Sequence, residues 1–207
     1  MIEEPQGSEA WIKARLGKVT ASRVADVIAR TKTGWGTSRA NYMAELIAER
    51  LTGEPADSYV NAAMQRGIEM EPEASAAYAF RKDVEITEVG FIQHPKIIMA
   101  GASPDSLVGT DGLIEVKCPN VATHIDTLLG EPTPAKYVTQ MMFQLACTGR
   151  QWCDFVSYDP RLPEAMRLFV QRVSRDDNRI AELEIEVCKF LTELDEKMAE
   201  LSMWYKL

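Results

Sequence analysis

No apolar run in this 207-residue chain approaches the roughly 18 residues that would suggest a membrane span, so no transmembrane helix is expected. The first residues, MIEEPQGSEAW, are acidic and lack the apolar core of a secretory signal, which points to the cytoplasm. Cysteine is sparse. Cys118, Cys147, Cys153 and Cys188 form no C-x-x-C pair, which argues against zinc and iron–sulfur sites and for free, mostly buried thiols. The two histidines, His94 and His124, lack metal-ligand spacing and read as structural. Positive charge is in deficit, 23 basic residues against 31 acidic, a net −8. That balance argues against non-specific nucleic-acid binding by the whole surface. No internal repeat, low-complexity tract or second domain is visible. A single domain over 1–207 is expected, with a helical N-terminal part at about 8–81 and a long C-terminal helix at about 175–205.

The charge is unevenly placed. Residues 11–40 carry seven basic side chains and one acid, whereas residues 175–200 carry four basic side chains and nine acids. One end is therefore suited to phosphate and the other to solvent or a partner.

The stretch 102–119, ASPDSLVGTDGLIEVKCP, reads as a β-hairpin turning at Gly109-Thr110-Asp111-Gly112. Alternation along its outgoing strand puts Leu113, Glu115 and Lys117 on one face and Ile114 and Val116 on the other. The expectation is that the apolar face is buried and the opposite face carries the charges. The turn can return Asp105 to the side of Glu115. Two carboxylates held together repel unless a cation lies between them, and an oxygen-rich site with few protein ligands suits Mg²⁺ or Mn²⁺. A lysine beside them can orient or deprotonate a water, or stabilise charge on phosphorus.

Helices are expected over 8–17, 20–30, 38–53, 60–81, 134–149 and 175–205, from capping residues, glycine stops and apolar spacing. Arg15 precedes a segment bearing Thr20 and Ser22. If that segment opens a helix, its free N–H groups, the hydroxyls and the guanidinium make an anion pocket; the plainer reading is a capped helix with a surface arginine. Residues 31–37 read as a flexible loop. Glu71 precedes Pro72, where the fourth helix is expected to bend or restart, and an inward Glu71 could add a third oxygen ligand. Gln140 and Gln144 stand at i, i+4, where a glutamine facing the cleft could hold a phosphate or a water. Strands are expected within 84–104 and at 152–160 and 165–173. The order gives an α+β arrangement, a largely antiparallel mixed sheet with one inserted helix, flanked by helices.

Six stretches in order, AWIKARLGKVTAS, RGIEMEPEA, AGASPDSL, LIEVKCP, YVTQMMFQ and YDPR, make the chain resemble the lambda-exonuclease or YqaJ-type viral recombinases of the PD-(D/E)XK nuclease superfamily. The resemblance implies a restriction-endonuclease-like core. It implies that Glu71, Asp105, Glu115 and the Val116 carbonyl bind Mg²⁺ or Mn²⁺, two ions per site, and that Lys117 positions the attacking water. It implies that Arg15, Thr20, Ser22, Ser103 and Gln140 hold the 5′-terminal phosphate and nearby strand. The implied activity is 5′-to-3′ degradation of one strand of linear duplex DNA to mononucleotides, leaving 3′ overhangs. The implied partners are 5′-phosphorylated DNA ends, two further copies in a homotrimeric ring, and a single-strand annealing protein. A site-specific endonuclease on the same scaffold and a non-catalytic DNA-end-binding scaffold are the alternatives.

Overall fold

The computed structural model describes residues 4–56 and 62–206. The connection expected at 54–58 and the helix start expected at Val60 fall partly outside the described residues. In chain order the elements are α1 (Glu9–Arg15), β1 (Val19–Thr20), α2 (Val24–Val27), β2 (Arg30–Thr31), β3 (Gly34–Trp35), α3 (Thr37–Thr52), α4 (Ala62–Lys82), β4 (Ile86–Thr87), β5 (Ile92–Gln93) and β6 (Ala100–Ala102). They continue as β7 (Ser106–Val108), β8 (Gly112–Lys117), α5 (Val121–Leu128), α6 (Ala135–Thr148), β9 (Trp152–Tyr158), β10 (Leu168–Ser174) and α7 (Asp177–Tyr205).

The main sheet has the order β10-β9-β8-β7-β4. It is mixed, because β8 and β9 run parallel while the other pairs are antiparallel. Parallel neighbours need a crossover, and here two helices, α5 and α6, supply it where one was expected. Both faces are covered. On one, α6 packs Met141, Phe143 and Leu145 against Leu113, Cys153 and Phe155 of the sheet. Each such fully buried side chain contributes about 2 kcal/mol of hydrophobic stabilisation. On the other, Ala74 and Tyr78 of α4 meet Val108, Ile114, Val116 and Val156. β8 is thus a buried central strand on both faces and not half of a surface hairpin, and Glu115 is completely buried with it.

α4 runs unbroken through Pro72. It is laced to the sheet by polar contacts: Arg66 Nη1 donates to the Pro119 carbonyl at 3.0 Å, Tyr78 to Asp154 at 2.8 Å, and Arg81 to the Leu168 carbonyl at 2.5 Å. These bonds fix the side of the helix that Glu71 occupies.

A second sheet, β1-β6-β5, sits beside α6 and the N-terminal helices. Here the sequence expectation fails. Residues 20–30 do not form one helix: Val19 and Thr20 pair with β6, a 3₁₀ turn covers Ala21–Arg23, and α2 is a single turn. β-branched Val19 and Thr20 lie against Ala100 and Gly101, and strand pairing outweighs a weak local helical preference. The expected flexible loop at 31–37 is a short hairpin, β2–β3. Trp35 is sandwiched between the guanidiniums of Arg30 and Arg39, at 3.9 and 4.1 Å from the ring centre. Only two pairs and one triplet of residues within 84–104 reach strand geometry, β4, β5 and β6. α7 carries its buried stripe, Ile180, Leu183, Val187, Phe190 and Leu194, as the periodicity predicts.

Candidate active site

The site begins where two strands part. β7 and β8 pair only as far as Ser106 opposite Ile114, while β8 continues to Lys117 alongside β9. The backbone of Val116 is therefore released on its β7 side. Asp105, the residue just before β7, fills the gap: its Oδ2 accepts the Val116 N–H at 2.5 Å. A strand residue's N–H and C=O point to the same side, so the Val116 carbonyl faces the same opening.

Glu115 projects from the other face toward α6. Gln140 Nε2 donates to Oε1 and Gln144 Nε2 to Oε2, both at 2.6 Å. The Lys117 ammonium pairs with Oε1. The Lys117 ammonium also lies 5.4 Å from the centre of the Tyr137 ring. Glu71 and Asp105 line a cleft of about 450 Å³ together with Trp11, Pro72, Glu88 and Val89. Glu115 and Lys117 are not part of that lining.

The charges act on one another. Burial, then the neighbouring Glu115, pushes Asp105 well above the usual carboxylate range, with Lys117 opposing. Burial likewise raises Glu71, again against Lys117. Burial disfavours the Lys117 ammonium, but Glu115 and Asp105 more than compensate and its pKa rises. One lysine thus balances three carboxylates. An all-oxygen set of this charge suits a hard divalent cation. Among the described residues, however, no three His, Cys, Asp or Glu side chains stand close enough to enclose a metal ion. Asp105 is bonded to the Val116 N–H, and Glu115 to two amides and an ammonium, so the carboxylates stand within electrostatic reach of one another with their oxygens held by groups of the chain.

The residues expected at the phosphate site divide into small groups. Trp11 joins two of them: its Nε1 donates to Ser103 Oγ at 2.9 Å, and the Arg15 guanidinium lies 4.2 Å over its ring. Arg15 is half-buried, burial lowers its pKa, and no carboxylate lies within ion-pair distance among the described residues. Thr20 and Ser22 face each other at 3.4 Å. The expected helix N-terminus is absent there, because Thr20 caps only a 3₁₀ turn and its N–H donates to the Tyr42 hydroxyl at 3.1 Å. The Gln140 amide is engaged by Glu115. Gln144, singled out in the sequence with Gln140 by its i, i+4 spacing, joins the site through Glu115. Trp11 lies within the stretch AWIKARLGKVTAS but had no role assigned to it there. Gln6 carried no sequence signal; its Nε2 donates to the carbonyls of Val89 and Pro104, 3.1 and 2.9 Å away, and so ties the N-terminal segment to the residue before Asp105.

Comparison with known proteins bears on this arrangement. A model of the YqaJ-like viral recombinase domain matches residues 10–151. The crystal structure of an alkaline exonuclease from Laribacter hongkongensis is 56% identical, with a TM-score of 0.88 over 96% of this chain and 98% of that one. The same exonuclease in complex with dAMP superposes with a TM-score of 0.89 at the same identity and coverage. A phage-related exonuclease from Haemophilus somnus 129PT, 17% identical, has a TM-score of 0.74 over 89% of this chain and 96% of its own, a likeness of fold alone. No curated protein matches the sequence. The mixed sheet flanked by helices, the matched span and the identity to a solved relative agree, and the chain belongs to the YqaJ-like viral recombinase family.

Proposed function

We propose that the protein is a metal-dependent DNA exonuclease that degrades one strand of linear duplex from 5′ to 3′ and leaves a 3′ overhang for strand annealing. The observation that carries the reading is the meeting of Asp105, Glu115 and Lys117 at the parting of β7 and β8, with Glu71 facing them from α4. The 56% identical relative is an alkaline exonuclease and has been solved with dAMP, and a mononucleotide is what such an enzyme releases.

Glu71, Asp105, Glu115 and the Val116 carbonyl would hold Mg²⁺ or Mn²⁺, which supplies Lewis acidity to the scissile phosphate and to a water. The chain's own groups do the rest. Lys117, paired with Glu115 at the site, is placed to position the attacking water and to stabilise charge developing on the phosphoryl oxygens. Gln140 reaches the same spot from α6. Arg15, Thr20, Ser22 and Ser103 hold the 5′-terminal phosphate through one guanidinium and three hydroxyls. A desolvated guanidinium that makes no ion pair among the described residues is suited to that task. Three chains form a ring whose lumen is lined by the basic 11–40 region, which lets an acidic protein enclose DNA.

The test is digestion of a duplex labelled at one 5′ end, with and without Mg²⁺, followed by sizing of the products. Labelled mononucleotide should appear first and only with the metal. Long labelled fragments, or release without Mg²⁺, would refute the reading.

A further inference from the structure

Gln144 stands apart from every other polar residue of α6. It is fully buried, yet no role in substrate contact is open to it. Its Nε2 donates to Glu115 Oε2 at 2.6 Å, and its Oε1 faces the Cys153 thiol at 4.0 Å. The amide can sit only one way round. A carboxylate accepts and never donates, so a flipped amide would set two oxygens against each other at bonding distance. The thiol on the far side gives the carbonyl oxygen a weak donor and agrees with that orientation.

The two glutamines on Glu115 are therefore unequal. Gln140 is half-exposed at the site and takes the same oxygen as Lys117. Gln144 is enclosed between Glu115 and Cys153 in the apolar core, and among the described residues it alone holds Oε2. We propose that Gln144 is a positioning residue that anchors Oε2 of Glu115 and so turns Oε1 toward Lys117 and the metal-binding side of the site. This rests on the metal-dependent reading above. Outer partners of ligating carboxylates commonly set metal affinity by about ten- to a hundred-fold. Gln144 would do so from within the hydrophobic core, without touching cation or DNA.

The test uses Gln144→Met, which keeps the side chain's length and removes its donor. Gln144→Asn is the second variant; it keeps an amide but withdraws it by one methylene, in case the first does not fold. Mn²⁺ binding to the DNA-free protein is measured by calorimetry, with kcat and KM on linear duplex beside it. In a folded variant Mn²⁺ affinity and kcat should both fall by about ten-fold or more while KM for DNA stays put. A residue that only fills the core would lower the melting temperature and leave Mn²⁺ affinity within two-fold of the parent, and that outcome overturns the proposal. The two readings fail differently. A parent protein that neither binds Mn²⁺ nor cleaves DNA sinks the proposed function. A parent that does both, matched by its variants, sinks only the role of Gln144.

Discussion

Lys117 is the residue on which the local charge balance turns. It offsets Asp105, Glu115 and Glu71, so its removal leaves three carboxylates facing one another. Lys117→Met should therefore bind Mn²⁺ at least as tightly as the parent and still bind DNA. Cleavage should drop by about 10²–10⁴-fold, the usual worth of a positioned proton donor. Calorimetry and single-turnover cleavage check both halves, and near-parental cleavage would remove Lys117 from the chemistry. Arg15 makes a different prediction. Its charge is desolvated over Trp11 and, among the described residues, makes no ion pair, so it should discriminate a terminal phosphate from a hydroxyl. Arg15→Ala should reduce the preference for 5′-phosphorylated over 5′-hydroxyl ends, read as a ratio of kcat/KM values. An unchanged ratio would count against the pocket. Both residues were legible in the sequence as residue types at the right places. The pairing of Gln140 and Gln144 with Glu115, and the tryptophan that joins Arg15 to Ser103, were not, because each contact is made between segments far apart in the chain.

Two elements hold the site from outside. β6 lies between β1 and β5 and leads directly to Ser103 and Asp105. A Cβ on Gly101 would stand 2.6 Å from the Ile92 carbonyl and run into the buried Phe91 ring. Neither neighbour can yield easily. Gly101→Ala should cost about 1–3 kcal/mol, visible as a lower urea midpoint, and should depress cleavage as well. The β5–β6 connection is pinned by His94, whose Nδ1 accepts the N–H groups of Lys96 and Ile97, both at 3.1 Å. Protonating Nδ1 would break both bonds. The ring is stacked on Phe143, and Nε2 points to Glu184 at 3.2 Å without hydrogen-bond alignment. Burial lowers the His94 pKa, Glu184 opposes that, and Lys96 reinforces it. Because the folded value lies below the ordinary one near 6.5, the unfolded chain takes up the proton first. Stability is then intact above about 6.5 and falls as pH drops toward the folded value, by at most about 1.4 kcal/mol per pH unit from this group. Denaturant midpoints at pH 7.5 and 5.5 should differ less in His94→Gln than in the parent. An equal difference would clear His94 of the effect.

Across the whole molecule the distribution of charge and apolar surface matters more than the totals. In the proposed ring, the basic N-terminal region of an acidic chain would be turned toward the DNA. Large apolar side chains left in water, Phe80 at 90% exposure and Trp204 at 64%, are of the kind that subunit contact covers. No helix among the described residues is long and apolar enough to cross a membrane. Light scattering should return three chains per particle. Covalently closed duplex should survive a digestion that consumes the linear form. Destruction of the closed circle would place the protein with endonucleases instead.

What the sequence determined by itself was whatever depends on local pattern. The hairpin turn after β7, which falls on Gly109–Asp111 with Gly112 already in β8, the amphipathic stripe of α7, the glycine-capped end of α6 and the spacing of Asp105, Glu115 and Lys117 are all of this kind, since period and turn chemistry act over a few residues. Tertiary structure decided the rest. It drew Val19 and Thr20 into a strand, ran β9 parallel to β8, buried both faces of the central strand and set two glutamines on Glu115. Each of these is an exchange of partners between segments far apart in the chain, and its free energy exists only once those segments have met.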